Sequence, residues 1–288
     1  MLLLGVGLLS LILAVISAIQ GPVWMALVWF VGSALALLVI AALFLILACL
    51  AVDKNKPQEH SSKFYRVMAK WYIEAVVKIA RVHIHTAGLE KIPADGRFLL
   101  VCNHIHDVDP GILLHCFPQK ELVFIAKRET KDMFVIGDLL YKLQGQFINR
   151  ENDKEALKTI IKCIQIIKED QGSIAVFPEG YVSLDGKLRH FRSGVLKIAQ
   201  KAGVPIVVCT LKGTKTVLPH FLKLKPSHVD MHLVGVIGAE EVKAANTVDL
   251  AEQIYDMMIA DMGEEYRSDE KAMHPDLQRE RMKISNPS

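Results

Sequence analysis

The stretch Phe98–Phe117, FLLVCNHIHDVDPGILLHCF, sets a polar octet, Asn103 to Pro110, between two runs of hydrophobic residues. The first run, RFLLVCN from Arg97, reads as a buried strand, and PGILLHCF as a helix. Asp109-Pro110 marks the helix start, because Asp accepts hydrogen bonds from free N–H groups as an N-cap and Pro tolerates the first helical position. His104 and Asp109 would lie about 140° apart on a continuous helix, so they meet only if the chain turns between them. A strand-to-helix loop supplies that turn.

The same alternation runs outward from this unit. VHIHTAG from Val82, ELVFIAK from Glu121, SIAVF from Ser173, VPIVVCT from Val204 and HVDMHLVGVI from His228 read as strands. EALKTIIKCIQIIKED from Glu155, SGVLKIAQKAG from Ser193 with its end at Gly203, and DLAEQIYDMMIADM from Asp249 read as helices. Such alternation predicts an α/β domain with a mixed, mainly parallel central sheet flanked by helices. Ligands of such sheets gather where strand ends meet helix starts.

Hydrophobic residues make up 51% of the 288, yet residues 1–52 contain no Asp, Glu, Lys or Arg, so the apolar excess is local. Gln20-Gly21-Pro22 divides that stretch into 1–19 and 23–52. At about 1.5 Å per residue, each half nearly crosses or crosses a bilayer core of about 30 Å. We expect an N-terminal helical hairpin, transmembrane or embedded in one leaflet. A cleaved signal peptide is the rival, but it would need a basic n-region and no second apolar segment. Lys54, Lys56, Lys63 and Arg66 follow the hairpin, which by the positive-inside rule places the following domain in the cytoplasm. The expected divisions are a membrane anchor 1–52, a basic amphipathic juxtamembrane helix 53–82, the α/β domain 83–263 and a charged tail 264–288. The net charge is only +3, and we expect no nucleic-acid partner. Nothing in the sequence sets an oligomeric state.

From Ser62, the apolar residues Phe64, Val67, Met68, Trp71, Tyr72, Ala75, Val76 and Ile79 recur at helical spacing opposite Lys63, Arg66, Lys70, Lys78 and Arg81. That basic face suits an anionic lipid surface or, equally, a solvated face on a helix packed against the domain. The five cysteines are scattered in apolar surroundings without CxxC spacing, as expected of small buried hydrophobes in a reducing compartment.

The octet offers a metal cage as one possibility, with His104, His106, Asp107 and Asp109 as ligands of a metal-dependent hydrolase. The spacing departs from the metallo-β-lactamase pattern, which wants Asp at Val108 and His at Asp109, and no second His and acidic cluster completes a ligand set. We therefore expect no metal.

Further along come GQFINR (Gly145–Arg150), FPEG (Phe177–Gly180) and VPI (Val204–Ile206). With Asn103, His104 and Asp109 as an N-H-x4-D block, these four motifs stand in order across roughly residues 85 to 215. The chain thereby resembles the glycerolipid acyltransferase family, whose best known member is 1-acylglycerol-3-phosphate acyltransferase. The resemblance implies a membrane-bound O-acyltransferase of phospholipid biosynthesis. His104 would be the general base and Asp109 its orienting partner, with direct transfer and no acyl-enzyme, which agrees with the lack of a GxSxG elbow. It implies acyl-CoA or acyl carrier protein as co-substrate, no cofactor, and a membrane lipid as partner. Asn103, Phe177, Pro178, Glu179 and Gly180 would line the substrate site, with Glu179 holding a glycerol hydroxyl or locking its loop. Arg150 would bind the acceptor's phosphate. From residue type and position we add Lys127, after a strand, and Arg192, near a helix start.

Two departures stand out. His106 occupies a position where the family usually has a small residue, and Tyr181-Val182 replaces the common Thr-Arg. The lost arginine leaves the acceptor open between 1-acylglycerol-3-phosphate, another lysophospholipid and a lipid without phosphate. A catalytically silent lipid-binding protein is the remaining alternative.

Overall fold

The computed structural model describes residues 1–268. Two apolar helices, α1 (Leu2–Gln20) and α2 (Trp24–Leu50), form the hairpin, turning at Gly21 as expected. Both are long and apolar enough to cross a membrane, which is compatible with membrane association. Helix α3 (Lys63–Ile79) lies beside them, where Tyr65 and Tyr72 donate to the carbonyls of Ala48 and Ala41 at 2.8 and 2.6 Å.

The α/β unit then alternates as β1 (Val82–Ala87), β2 (Leu99–Cys102), α4 (Asp109–Cys116), β3 (Leu122–Lys127), α5 (Ile136–Lys142), β4 (Gln146–Ile148), α6 (Asp153–Lys168) and β5 (Ser173–Val176). It continues as α7 (Lys197–Ala202), β6 (Ile206–Lys212), α8 (Val217–Leu222), β7 (Ser227–Ile237), α9 (Ala239–Ala244) and α10 (Thr247–Met262). The seven strands form one sheet in the order β1-β7-β6-β2-β5-β3-β4. Every pairing is parallel except β6 with β7, so the expected mixed, mainly parallel sheet flanked by helices is what forms.

The hydrophobicity of β2 follows from its central place. Leu99, Leu100 and Val101 are fully buried because helices cover both faces of the sheet, and a strand buried on both faces has no polar side to alternate with. Leu99 and Val101 pack with Ile166 of α6, Ile198 of α7 and Ile254 of α10. Leu100 and Cys102 point the other way, against Ile112 and Leu113 of α4.

The segments missed in sequence are the short ones. β4 has three residues, too few to show a period of two, and α5, α8 and α9 have six or seven each. The helix expected from Ser193 opens instead as a 3-10 turn, Ser193–Leu196, before α7, and ends at Gly203 in the left-handed conformation with φ 73°. The linker after α2 runs along α5, where Lys54 pairs with Asp138 at 2.9 Å and Tyr141 donates to the carbonyl of Lys56. Of the charged tail expected from 264, Glu264–Tyr266 form a 3-10 turn and Arg267 bridges Leu188; residues 269–288 lie outside the described residues.

Candidate active site

Strands β2, β5, β3 and β4 are parallel neighbours, so their C-terminal ends stand side by side along one edge of the sheet. His104 follows β2, Phe177 follows β5, Lys127 ends β3 and Arg150 follows β4. Residues from four distant parts of the sequence thus converge by topology alone, at the edge where such sheets bind ligands.

At β2, the chain turns sharply so that His104 Nδ1 lies 2.8 Å from Asp109 Oδ2. The same oxygen accepts the backbone N–H groups of Ile105 and His106, at 2.7 and 2.8 Å. This corrects the N-cap expectation. Val108 takes the cap position, Asp109 is the first helical residue, and its fully buried carboxylate turns back onto the loop. A carboxylate at Nδ1 makes that nitrogen the N–H donor and leaves Nε2 with the lone pair. Stacking of the His104 ring on Phe177, 4.1 Å between centroids and 16° from parallel, fixes the plane of the imidazole.

The hydrogen bonds that Glu179 makes are those expected of a residue that locks its loop. Its carboxylate accepts the backbone N–H of His104 at 2.8 Å and that of Arg189 at 2.9 Å, tying the β2 loop to the β5 loop. Burial away from water pushes its carboxyl up to about 8, against the two hydrogen bonds that favour the ionised form. Asn103 likewise differs from the expectation of a substrate contact. Fully buried, it accepts the N–H of Leu211 at 2.7 Å and donates to the Leu211 carbonyl at 2.9 Å, so both ends of its amide extend the β2–β6 ladder. Pro178 is buried as well, and its carbonyl accepts the N–H of Arg192 at 2.9 Å.

A cleft of about 560 Å³ opens beside His104. Lys127, Arg150, Phe177, Gly180 and Arg192 also line it, whereas Asn103, Asp109, Pro178 and Glu179 stand behind its wall. Gly180 has φ 85°, a conformation that favours glycine. A methyl group there would meet Arg192 Nε at 3.0 Å and Arg150 Cζ at 3.8 Å, so both guanidinium groups close on this residue. Lys127 sits at the mouth, 3.6 Å from Glu129. Ile125, Met133, Ile136, Leu140 and Ile148 give the cleft an apolar section next to its cationic one.

The other members of the octet take separate roles. His106 Nδ1 accepts the N–H of Val108 at 3.3 Å, while Asp107 faces the cleft. No three His, Cys, Asp or Glu side chains among the described residues converge to hold a metal. Sequence reasoning missed Arg128, Met133, Ile136 and Leu140 as cleft residues, because they belong to the connection between β3 and β4, which carries no motif. Tyr181 and Val182, noticed only as departures, also line it.

Residues 83–212 match the family model described as Acyltransferase. A protein of Mycoplasma genitalium named probable 1-acyl-sn-glycerol-3-phosphate acyltransferase is 31% identical over 180 residues, 58% of this chain and 64% of that one. The 1-acyl-sn-glycerol-3-phosphate acyltransferase of Borreliella burgdorferi is 30% identical over 148 residues, 51% and 58% of the two chains. The chain thus spans somewhat less than two thirds of the length of these curated relatives. The crystal structure of the 1-acyl-sn-glycerophosphate acyltransferase PlsC from Thermotoga maritima superposes with a TM-score of 0.54 over 77% of this chain and 87% of that one, at 20% identity, which establishes a shared fold.

Proposed function

We propose that this chain, whose residues 83–212 match the family model described as Acyltransferase, transfers a fatty acyl group from a thioester to the free hydroxyl of a lysophospholipid, with 1-acylglycerol-3-phosphate as acceptor. The observation that carries the proposal is the His104–Asp109 pair, opening onto a cleft in which Arg150 and Arg192 close on Gly180.

The acceptor hydroxyl donates to His104 Nε2, which takes its proton as the oxygen attacks the thioester carbonyl. Asp109 stabilises the imidazolium formed. When the tetrahedral intermediate collapses, the new C–O bond stays, the C–S bond breaks, and the proton on Nε2 passes to the departing sulfur. No acyl-enzyme forms. Arg150 and Arg192 hold the acceptor's phosphate through charge-assisted hydrogen bonds, and the apolar section of the cleft takes an acyl chain. The donor is acyl-CoA or acyl carrier protein, and no cofactor enters the reaction. We propose residues 1–52 as the membrane anchor, 53–82 as the basic juxtamembrane segment and 83–263 as the catalytic domain; the cations after the hairpin support a cytoplasmic side for that domain.

The test is release of free thiol by the purified full chain, given acyl-CoA or acyl carrier protein with a panel of lysolipids. Release dependent on 1-acylglycerol-3-phosphate supports the proposal. No release with any acceptor would overturn the proposal, and is the one outcome under which a catalytically silent lipid-binding protein survives.

A further inference from the structure

The exposed apolar residues outside the hairpin and α3 include a group that the catalytic cleft does not use. Leu218, Phe221 and Leu222 on α8 and Leu224 just beyond it are all exposed, with Leu222 at 74% and Leu224 at 81%. Leu224 also adopts φ 54°, a helix-ending conformation usually given to Gly or Asn. Leucine there is strained and, in water, badly solvated. Lys215, Lys223 and Lys225 surround these residues in sequence. Lys215 donates to the carbonyl of Leu184, a further exposed leucine, on the loop after β5.

Two relationships orient the patch. β6 runs parallel to β2, so α8 leaves the sheet at the same edge as the His104 loop. Arg81, just after α3, donates to the Leu224 carbonyl at 3.0 Å, which joins the patch to the end of α3. Tyr72 of α3 is bonded to α2, and Val76 and Ile79 lie about 40° and 20° round the helix from it. Both are exposed, so they carry the apolar stripe facing the hairpin onward to Leu224.

We propose that α8 and the turn 222–225 are a second membrane contact, seating the cleft edge on an anionic lipid surface with the leucines in the acyl region and the lysines among the headgroups. The occupant is lipid because the patch continues the hairpin's own apolar face and carries cations at its rim. The proposal rests on α1 and α2 being membrane-embedded.

The experiment places an environment-sensitive fluorophore on Leu222→Cys in the full chain, reconstituted in vesicles of phosphatidylglycerol and phosphatidylcholine, with identically treated unsubstituted protein as background. The comparison site is Leu157→Cys, exposed on α6. Lipids brominated on their acyl chains should quench the probe at 222 several-fold more than at 157, and aqueous iodide should do the reverse. Lys223→Glu/Lys225→Glu in the same background should weaken the lipid quenching at 222 several-fold. Native Trp24 and Trp29 report the anchor in parallel, with Trp71 of α3 replaced by Phe so that only the anchor emits. If brominated lipid quenches the tryptophans but not the probe at 222, the second contact is overturned and the anchor stands. If it quenches neither, both fall. A blue-shifted probe that responds to protein density and not to brominated lipid would assign the patch to a second copy and overturn the proposal.

Discussion

Asp109 Oδ2 lies 2.8 Å from His104 Nδ1 while also accepting the N–H groups of Ile105 and His106. One buried oxygen therefore sets both the tautomer of the imidazole and the shape of the loop that carries it. Asp109→Asn retains the size of the side chain and loses the charge that favours an imidazolium. We expect kcat for thiol release to fall by about 10²- to 10⁴-fold, with KM for the acceptor nearly unchanged. An unchanged kcat in steady-state assay would remove Asp109 from the mechanism.

Glu179 makes a prediction about stability against pH. Burial raises its carboxyl from 4.5 to about 8, so between these values the folded protein holds a proton that the unfolded chain has released. Folding then takes up a proton, and the contribution of this group to stability declines as pH rises through that window. Compared with Glu179→Gln, the wild-type protein should lose Tm more steeply from pH 5 to 8. Parallel curves would show that the carboxyl is ionised throughout.

Arg150 and Arg192 flank Gly180 in the cleft. Loss of either charge-assisted contact is worth about 1.5–3 kcal/mol, or roughly ten- to a hundredfold in kcat/KM. Arg150→Ala and Arg192→Ala should show that loss with 1-acylglycerol-3-phosphate and little change with an acceptor lacking phosphate. Equal losses with both acceptors would assign the arginines to folding.

His106 and the metal alternative are tested together. With its Nδ1 engaged by the Val108 N–H, His106→Ala should retain most activity, and a chelator should leave thiol release unaltered. Activity lost on chelation and restored by added metal would favour the hydrolase alternative.

Much of this arrangement was legible in the sequence, and the reasons differ by residue. Leu99–Cys102 and Asp153–Lys168 are long or apolar enough for their period to show, and the α/β order followed from them. Motifs at strand ends mark His104, Arg150 and Phe177–Gly180. The inward-facing roles were not legible. The motif suggests Asn103 as a substrate contact, whereas its amide bonds to Leu211, more than a hundred residues away, and a bond across strands leaves no trace in local spacing. The apolar wall of Met133, Ile136 and Leu140 was hidden for a related reason: the β3–β4 connection becomes a wall only once β4 pairs beside β3. Asp109 carries two readings in the sequence, partner of His104 and cap of the helix at Pro110; the folded loop turns its carboxylate to His104, and Val108 takes the cap position.

The central claim, that His104 takes the acceptor's proton, is tested most directly by thiol release from acyl-CoA in the presence of 1-acylglycerol-3-phosphate, comparing His104→Ala with His106→Ala in folded, membrane-reconstituted protein. We predict that His104→Ala loses about 10²-fold or more and that His106→Ala stays within a few-fold of wild type. An active His104→Ala beside a dead His106→Ala would contradict the account.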